Sequence, residues 1–161
     1  MASALHNLSD YDTSTVPNGE EYKIAIVVAE WNKEITFALH RGCVDVLIEH
    51  GCKKENIATK LVPGTFELTY GAQLAIQKQK PDAVICLGCV IKGETSHNEY
   101  INHAVAQGFT NLSLQTGIPV IFGVLTPNTE QQAKDRAGGI HGNKGVEAAI
   151  TALKMVALKQ Q

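Results

Sequence analysis

The segment with the clearest chemical potential is Lys92–His97, which has the sequence KGETSH and follows an apolar run. A turn of glycine, threonine and serine leaves backbone N–H groups unpaired, and a helix that begins directly after it adds the positive end of its dipole. This arrangement predicts a binding site for phosphate or another anion. His97 lies at the predicted helix start, and histidine can accept and donate protons near neutral pH. The residues therefore indicate an anion site with a proton-transfer group beside it.

Two regular elements flank this turn. Residues Ala83–Ile91 form a nearly continuous apolar run rich in branched residues and cysteine, which is typical of a parallel strand buried on both faces. After the turn, apolar residues recur at the spacing of one helix face: Ile101, Ala104, Val105, Gly108, Phe109 and Leu112. The sequence thus predicts a strand, a turn and a helix in succession.

The same alternation runs through the whole chain. Strands are predicted at Tyr22–Ala29, Asn56–Val62, Ala83–Ile91 and Val120–Leu125. Other helices are predicted after Trp31–Asn32 (ending near Gly51), from Thr65 as an N-cap, from Thr126 to Arg136, and after a glycine-rich turn at Gly138–Asn143. This order predicts an α/β fold, a three-layer sandwich in which a central four-stranded parallel sheet, flavodoxin-like and doubly wound, has helices on both faces.

In such sheets, ligands bind outside the carboxyl ends of the strands. We therefore expect four segments to meet at one rim: Trp31–Asn32, Pro63–Glu67, Cys89–His97 and Leu125–Pro127. Neither a P-loop nor a G-x-G-x-x-G sequence is present, so the sequence gives little support to a nucleotide cofactor.

Composition limits the classes of function. A length of 161 residues with 44% hydrophobic content predicts one domain, at 22–161, preceded by a flexible arm at 1–21 that is rich in polar residues, proline and glycine. A formal net charge of −2 argues against a general nucleic-acid-binding protein. No apolar stretch is long enough to span a membrane, and the N-terminus lacks the pattern of a secretory signal. We therefore expect a cytoplasmic protein.

The four cysteines raise the question of a redox or metal site, because Cys86 and Cys89 form a C-x-x-C sequence. A thioredoxin-like pair would lie at a helix N-terminus, and a zinc site would need a second pair of ligands. Neither context is present. We interpret these cysteines as small, buried residues of a packed strand and predict no metal.

Five motifs occur in order along the chain: VPGTFEL at Val62–Leu68, VIKGETSHNEY at Val90–Tyr100, PVIFGVLT at Pro119–Thr126, DRAG at Asp135–Gly138 and GNKGVEAA at Gly142–Ala149. With these motifs the chain resembles the lumazine synthase family, in register from about Lys23 to Leu158. The resemblance implies condensation of 5-amino-6-(D-ribitylamino)uracil with 3,4-dihydroxy-2-butanone 4-phosphate, releasing phosphate and water, in riboflavin biosynthesis. It implies no redox cofactor and no metal.

The resemblance also implies residue roles. His97 matches the catalytic histidine. The butanone phosphate would contact Gly93, Glu94, Thr95 and Arg136. The ribitylaminouracil would contact Trp31, Thr65, Phe66, Glu67, Cys89, Val90, Ile91, Phe122 and Lys144. Glu94 departs from the small residue of many members, and a carboxylate near phosphate is unfavourable unless it points away or is paired, so only its backbone is assigned to the site.

Several of these residues also have ordinary structural interpretations. Trp31 could cap the core, and Phe122 could belong to it. Arg136 could be a cation at a helix C-terminus, and Lys144 and Glu147 could be surface charges on the last helix.

The resemblance implies a homopentamer with active sites at subunit interfaces, because Phe122, Lys144 and Glu147 match positions that a neighbouring subunit supplies. The absence of an insertion between Arg136 and Lys144 favours assembly of pentamers into an icosahedral shell. The resemblance also implies a possible association with riboflavin synthase.

Two other classes of function stay open. One is a non-catalytic relative that binds a flavin or lumazine, although His97, Arg136 and Lys144 together favour the enzyme. The other is a flavodoxin-like phosphoacceptor module, which would need clustered acids after the first strand, where the chain has only Glu30 beside Trp31.

Overall fold

A four-stranded parallel sheet with the strand order β2-β1-β3-β4 organises the computed structural model, which describes residues 7–161. The strands are β1 Ile24–Ala29, β2 Ile57–Val62, β3 Ala83–Cys89 and β4 Val120–Leu125. The helices are α1 Lys33–Glu49, α2 Leu68–Gln79, α3 His97–Thr116, α4 Glu130–Asp135 and α5 Lys144–Lys159. A short antiparallel hairpin, β5 Ala137–Gly139 and β6 Gly142–Asn143, joins α4 to α5. The predicted flavodoxin-like sandwich is confirmed.

The two central strands explain the apolar runs of the sequence. Every residue of β1 and of β3 is buried, because helices cover the sheet on both faces. One core lies between the sheet and α1 and α5, and the other lies between the sheet and α2 and α3. Burial of each large aliphatic side chain in these cores contributes roughly 1.5–3 kcal/mol to folding.

Helices α1 and α5 approach each other closely at Gly145. A Cβ atom at this position would overlap the carbonyl group of Leu39, so glycine permits the contact. The neighbouring Asn143 caps α5, since its side chain accepts a hydrogen bond from the N–H of Gly145 (2.7 Å). The start of α5 is therefore fixed against α1.

The structure corrects two local predictions. Thr65 is not an N-cap: α2 begins at Leu68 after Glu67, and no side chain caps it. Thr65 is instead buried against β3, where Gly88 leaves room for it, because a Cβ atom at Gly88 would lie 2.8 Å from Thr65 Oγ1. The glycine-rich turn at 138–143 is the β5–β6 hairpin rather than an irregular turn.

The part of the predicted arm that the structure describes lies along the domain. The N–H of Leu8 donates to the carbonyl of His141 (2.8 Å), and Ser9 Oγ accepts from the N–H of Asn143 (3.0 Å). Further on, Tyr11 Oη lies 3.3 Å from His50 Nε2. Residues 1–6 lie outside the described part of the chain, and the flexibility of the arm stays a prediction.

None of the helices within residues 7–161 combines the length and apolar character that crossing a membrane would require.

Candidate active site

A cavity of about 660 Å³ opens at the carboxyl ends of β1 and β3. Its position agrees with the general rule for doubly wound sheets, where the crevice forms at the strands from which the connections diverge. Its volume suits a small organic ligand. The cavity is lined by most of the residues predicted for the site, namely Trp31, Thr65, Phe66, Glu67, Cys89, Val90, Ile91, Gly93, Thr95 and His97.

Backbone hydrogen bonds extend the sheet beyond its last strand residues and so fix the rim. The N–H of Trp31 donates to the carbonyl of Pro63 (3.1 Å). On the other side, the N–H of Val90 donates to the carbonyl of Leu125 (2.8 Å), and Lys92 donates likewise to Pro127 (3.0 Å). The rim segments are therefore held in the register of the sheet rather than left as free loops.

Asn32 links the two sides of the cavity. Its backbone is left-handed, with φ of 58°, a conformation that asparagine tolerates better than most residues. Its Nδ2 donates to the carbonyl of Cys89 (2.9 Å), so the end of β1 is tied to the end of β3. The sequence predicts Trp31–Asn32 at the rim, but apart from the residue type it carries no signal for this bond.

Three aromatic side chains stand at the cavity with most of their surface exposed: Trp31 (72%), Phe66 (58%) and Tyr100 (75%). The interpretation of Trp31 as a core cap is therefore wrong. Exposed aromatic faces offer stacking surfaces to a planar heterocycle. Tyr100 was not predicted as a site residue, although it follows His97 by three positions and thus lies on the same side of α3.

The predicted anion loop leads directly into α3. His97 is the first residue of that helix, is exposed, and lines the cavity with Gly93 and Thr95. The first N–H groups of any helix have no partner within the helix, so this end can receive hydrogen bonds from an anion. Glu94 is exposed and does not line the cavity, and within residues 7–161 no ion pair joins it to Lys92 or Arg136.

Three predicted residues lie apart from this cavity. Phe122 is on the edge strand β4, where it is 36% exposed and packs edge-to-face against Phe109 with ring centroids 5.8 Å apart. Its interpretation as a fully buried core residue is wrong. Arg136 follows α4 and its Nη1 donates to the carbonyl of Gln132 (3.2 Å), and Lys144 forms an ion pair with Glu147 (Nζ to Oε1, 2.5 Å).

The β5–β6 hairpin brings Arg136 and Lys144 together. The N–H of Lys144 donates to the carbonyl of Arg136 (2.9 Å) across the base of the hairpin. Both residues are partly buried. The structure thus contains two groups of candidate residues, one at the rim cavity and one at the hairpin.

Comparison with known proteins identifies the family. A family model described as 6,7-dimethyl-8-ribityllumazine synthase matches residues 21–160. The chain belongs to this family. Relatives of that name include proteins from Porphyromonas gingivalis, 54% identical with 99% of each chain covered, and from Cytophaga hutchinsonii, 57% identical with 98% of each covered. Another, from Parabacteroides distasonis, is 55% identical with 97% of this chain and 98% of the relative covered.

Within this member of the lumazine synthase family, the C-x-x-C cysteines are buried strand residues as expected. Both are free, and burial raises the pKa of the Cys89 thiol to about 12 and that of Cys86 further. Protonated thiols are poor nucleophiles and poor metal ligands, so their environment does not favour redox or metal chemistry. Cys89 therefore contributes to the cavity by its small side chain, which forms part of the wall, and by its backbone carbonyl, which accepts the bond from Asn32.

Proposed function

We propose that this chain condenses 5-amino-6-(D-ribitylamino)uracil with 3,4-dihydroxy-2-butanone 4-phosphate to form 6,7-dimethyl-8-ribityllumazine, with release of phosphate and water. The match of the synthase family model to residues 21–160 carries the proposal. The rim cavity supports it, because aromatic faces, a helix N-terminus and a histidine converge there.

His97 is proposed as the proton-transfer group. The substrate amine must attack the ketone, the adduct must lose water to give an imine, phosphate must leave, and a ring must close. Each of these steps moves a proton, and a neutral or protonated imidazole can serve in either direction. The exposed position of His97 on the cavity wall supports this role, since the ring has room to reach substrate.

The phosphate is proposed to bind at the N-terminus of α3. Backbone N–H groups at Gly93, Glu94 and Thr95 and the Thr95 hydroxyl would donate to its oxygens, and Arg136 would supply a planar, bidentate cation. The ribitylaminouracil ring is proposed to stack on Trp31, with Thr65–Glu67 and Cys89–Ile91 contacting its edge and ribityl chain.

Each pocket is proposed to be completed by a second copy of the chain. Phe122, Arg136 and Lys144 do not line the cavity of their own chain, so a neighbour would have to bring them to it. Exposed apolar side chains on β2, on α2 and in the loop between them, among them Leu61 (50%), Phe66 and Tyr70 (63%), offer a surface for such contact. We propose that the copies form a homopentamer, as the resemblance to lumazine synthases implies.

Further assembly into an icosahedral shell is proposed from the short hairpin between α4 and α5, which has no inserted segment. Association with riboflavin synthase stays a prediction. A cytoplasmic location is proposed because the cysteines are free and buried, a state that suits a reducing compartment.

Incubation with both substrates tests the function. Appearance of the lumazine chromophore, with particle mass measured in the same sample, is the expected result. Tight riboflavin binding without lumazine formation would instead favour the non-catalytic relative.

A further inference from the structure

Two asparagine side chains on the buried face of α3 carry oxygen atoms with no partner. Asn98 Oδ1 and Asn102 Oδ1 are both buried, and neither accepts a hydrogen bond within residues 7–161. They lie on the helix face that continues into Val105 and Phe109, which are core residues. A buried polar atom without a partner is unfavourable, so such atoms in a folded protein call for a missing partner or a function.

Asn98 differs from Asn102 in one respect, because it also lines the rim cavity. A second cavity residue shares its condition: the Oγ1 atom of Thr65 is buried without a partner among the described residues, and the residue is only 5% exposed. Two walls of the same cavity therefore hold side-chain oxygens that have no partner within residues 7–161.

The spacing of the two asparagines suggests how Asn98 can serve the cavity. Residues four apart are neighbours on a helix surface, and carboxamides at this spacing can form a hydrogen bond. A half-turn of the Asn98 amide about χ2 exchanges its oxygen and nitrogen ends, and this torsion is roughly two-fold. The turn gives Nδ2 the buried position of Oδ1, on the helix face that Asn98 shares with Asn102, and gives the oxygen the position of Nδ2, which is not among the buried unpaired atoms.

We propose that Asn98 is a specificity-determining residue whose carboxamide oxygen accepts a hydrogen bond from the ribitylaminouracil, with Asn102 as the residue that positions the amide. This inference rests on the proposed function. An acceptor needs a donor on the ligand, and the ribitylaminouracil offers amine N–H groups and a chain of hydroxyls. The butanone phosphate offers a single hydroxyl, and its phosphate oxygens are acceptors.

Steady-state kinetics of Asn98→Leu and Asn98→Ala test the proposal. Both variants remove the carboxamide, whereas leucine keeps the number and branching of the side-chain heavy atoms of asparagine and alanine does not. We expect each to raise the KM for ribitylaminouracil roughly three- to tenfold, the effect of one neutral hydrogen bond, with the KM for butanone phosphate nearly unchanged. A change in one variant only would indicate an effect of shape and would overturn the proposal, as would an equal change for both substrates.

Asn102→Leu tests the positioning role. We expect a smaller rise in the same KM, and we expect the double variant with Asn98→Leu to be no worse than Asn98→Leu alone, because the two residues act as a unit. Additive effects would contradict the coupling. Asn111→Ala, an exposed asparagine on the same helix, is the matched control and should match the wild type.

An analogue with an alkyl chain in place of the ribityl group locates the donor. If the Asn98→Leu penalty vanishes with this analogue, the donor is a ribityl hydroxyl; if it persists, the donor is an amine or a ring N–H. Equilibrium binding of ribitylaminouracil to the same proteins checks the result without turnover. A wild-type protein that forms no lumazine would refute the proposed function, whereas an active wild type with unchanged Asn98 variants would refute only this inference.

Discussion

The rim cavity and the β5–β6 hairpin hold their functional residues in different ways. At the rim, the segments continue the backbone pairing of buried central strands, as the bond from Trp31 to Pro63 illustrates. At the hairpin, the backbone pairing of β5 with β6 is short, and side-chain bonds such as that from Asn143 Nδ2 to the carbonyl of Ala38 fix its position against α1. The first arrangement follows from the sheet itself, whereas the second depends on contacts between segments far apart in sequence.

Asn143 is the centre of the second arrangement. Its Nδ2 donates to the carbonyl of Ala38 on α1 (3.0 Å), its Oδ1 accepts from Gly145, and its N–H donates to Ser9 Oγ (3.0 Å). Each of these bonds is modest, roughly 0.5–1.5 kcal/mol net. We therefore expect substitutions far from the rim to leave its catalytic rate nearly unchanged. Substitutions that remove one of the Asn143 bonds should instead weaken the substrate contacts made by the hairpin.

The largest expected effect comes from His97, which would carry proton transfer at the rim. His97→Ala should slow lumazine formation by roughly 10²–10⁴-fold, the usual contribution of a general acid–base group. The rate is measured by the lumazine absorbance, and the particle mass should be unchanged. His103→Ala, an exposed histidine on the same helix, is the control. Wild-type turnover in His97→Ala would remove this residue from the mechanism.

The second prediction separates Arg136 at the hairpin from Trp31 at the rim by the substrate that each is proposed to contact. Arg136→Ala should raise the KM for butanone phosphate roughly 10–100-fold, because charge-assisted hydrogen bonds to phosphate are lost, while the affinity for ribitylaminouracil stays nearly constant. Trp31→Ala should do the reverse, since it removes stacking area and no phosphate donor. Equal effects of both variants on both substrates would show that the two residues do not divide the pocket in this way.

Much of the rim could be predicted from sequence, because each of its strands, turns and helices has a pattern over consecutive residues. Apolar runs define the strands of the sheet, and strand-to-helix turns such as Lys92–His97 define its rim. The second region could not be predicted in the same way. The glycine-rich segment at 138–143 predicts only a turn. The strands that pair Ala137 with Asn143 are too short to show an alternating pattern in the sequence.

Thr65 and Asn98 show a second reason why sequence patterns do not predict every residue of the cavity wall. A threonine before a helix is a common N-cap, but tertiary packing against Gly88 places Thr65 in the wall of the cavity instead. The apolar stripe of α3 begins at Ile101 in the sequence. Asn98 lies one turn earlier and is polar, so the stripe does not identify it as a residue of the buried face. The periodicity of apolar residues identifies buried positions only where they are apolar, so it does not identify the buried polar residues of a site.

The third prediction tests whether the regions belong to different subunits. Trp31→Ala and Phe122→Ala chains, each weak alone, should recover activity when they are mixed before assembly. Random mixing in equal amounts gives about a quarter of the pockets both intact residues, because each pocket lies between two neighbours of a ring. Recovery is measured against particles of each variant alone. Absence of recovery in verified mixed particles, or full activity in a stable monomer, would contradict a shared site.

The smallest effect is expected from Ser9, which touches the hairpin from outside the sheet. Ser9→Ala removes the acceptor of the Asn143 N–H, and that bond contributes to holding β6 and the start of α5, where Lys144 lies. We expect the KM for ribitylaminouracil, the substrate assigned to Lys144, to rise by no more than a few fold, since one neutral hydrogen bond is lost, while the KM for butanone phosphate and the rate set by His97 stay nearly constant. Ser14→Ala is the control, because the Ser14 hydroxyl donates to the nearby Asp12 (Oγ to Oδ1, 2.6 Å). If Ser9→Ala changed turnover at saturation of both substrates, the rim would depend on the hairpin, and the two regions would not be separable.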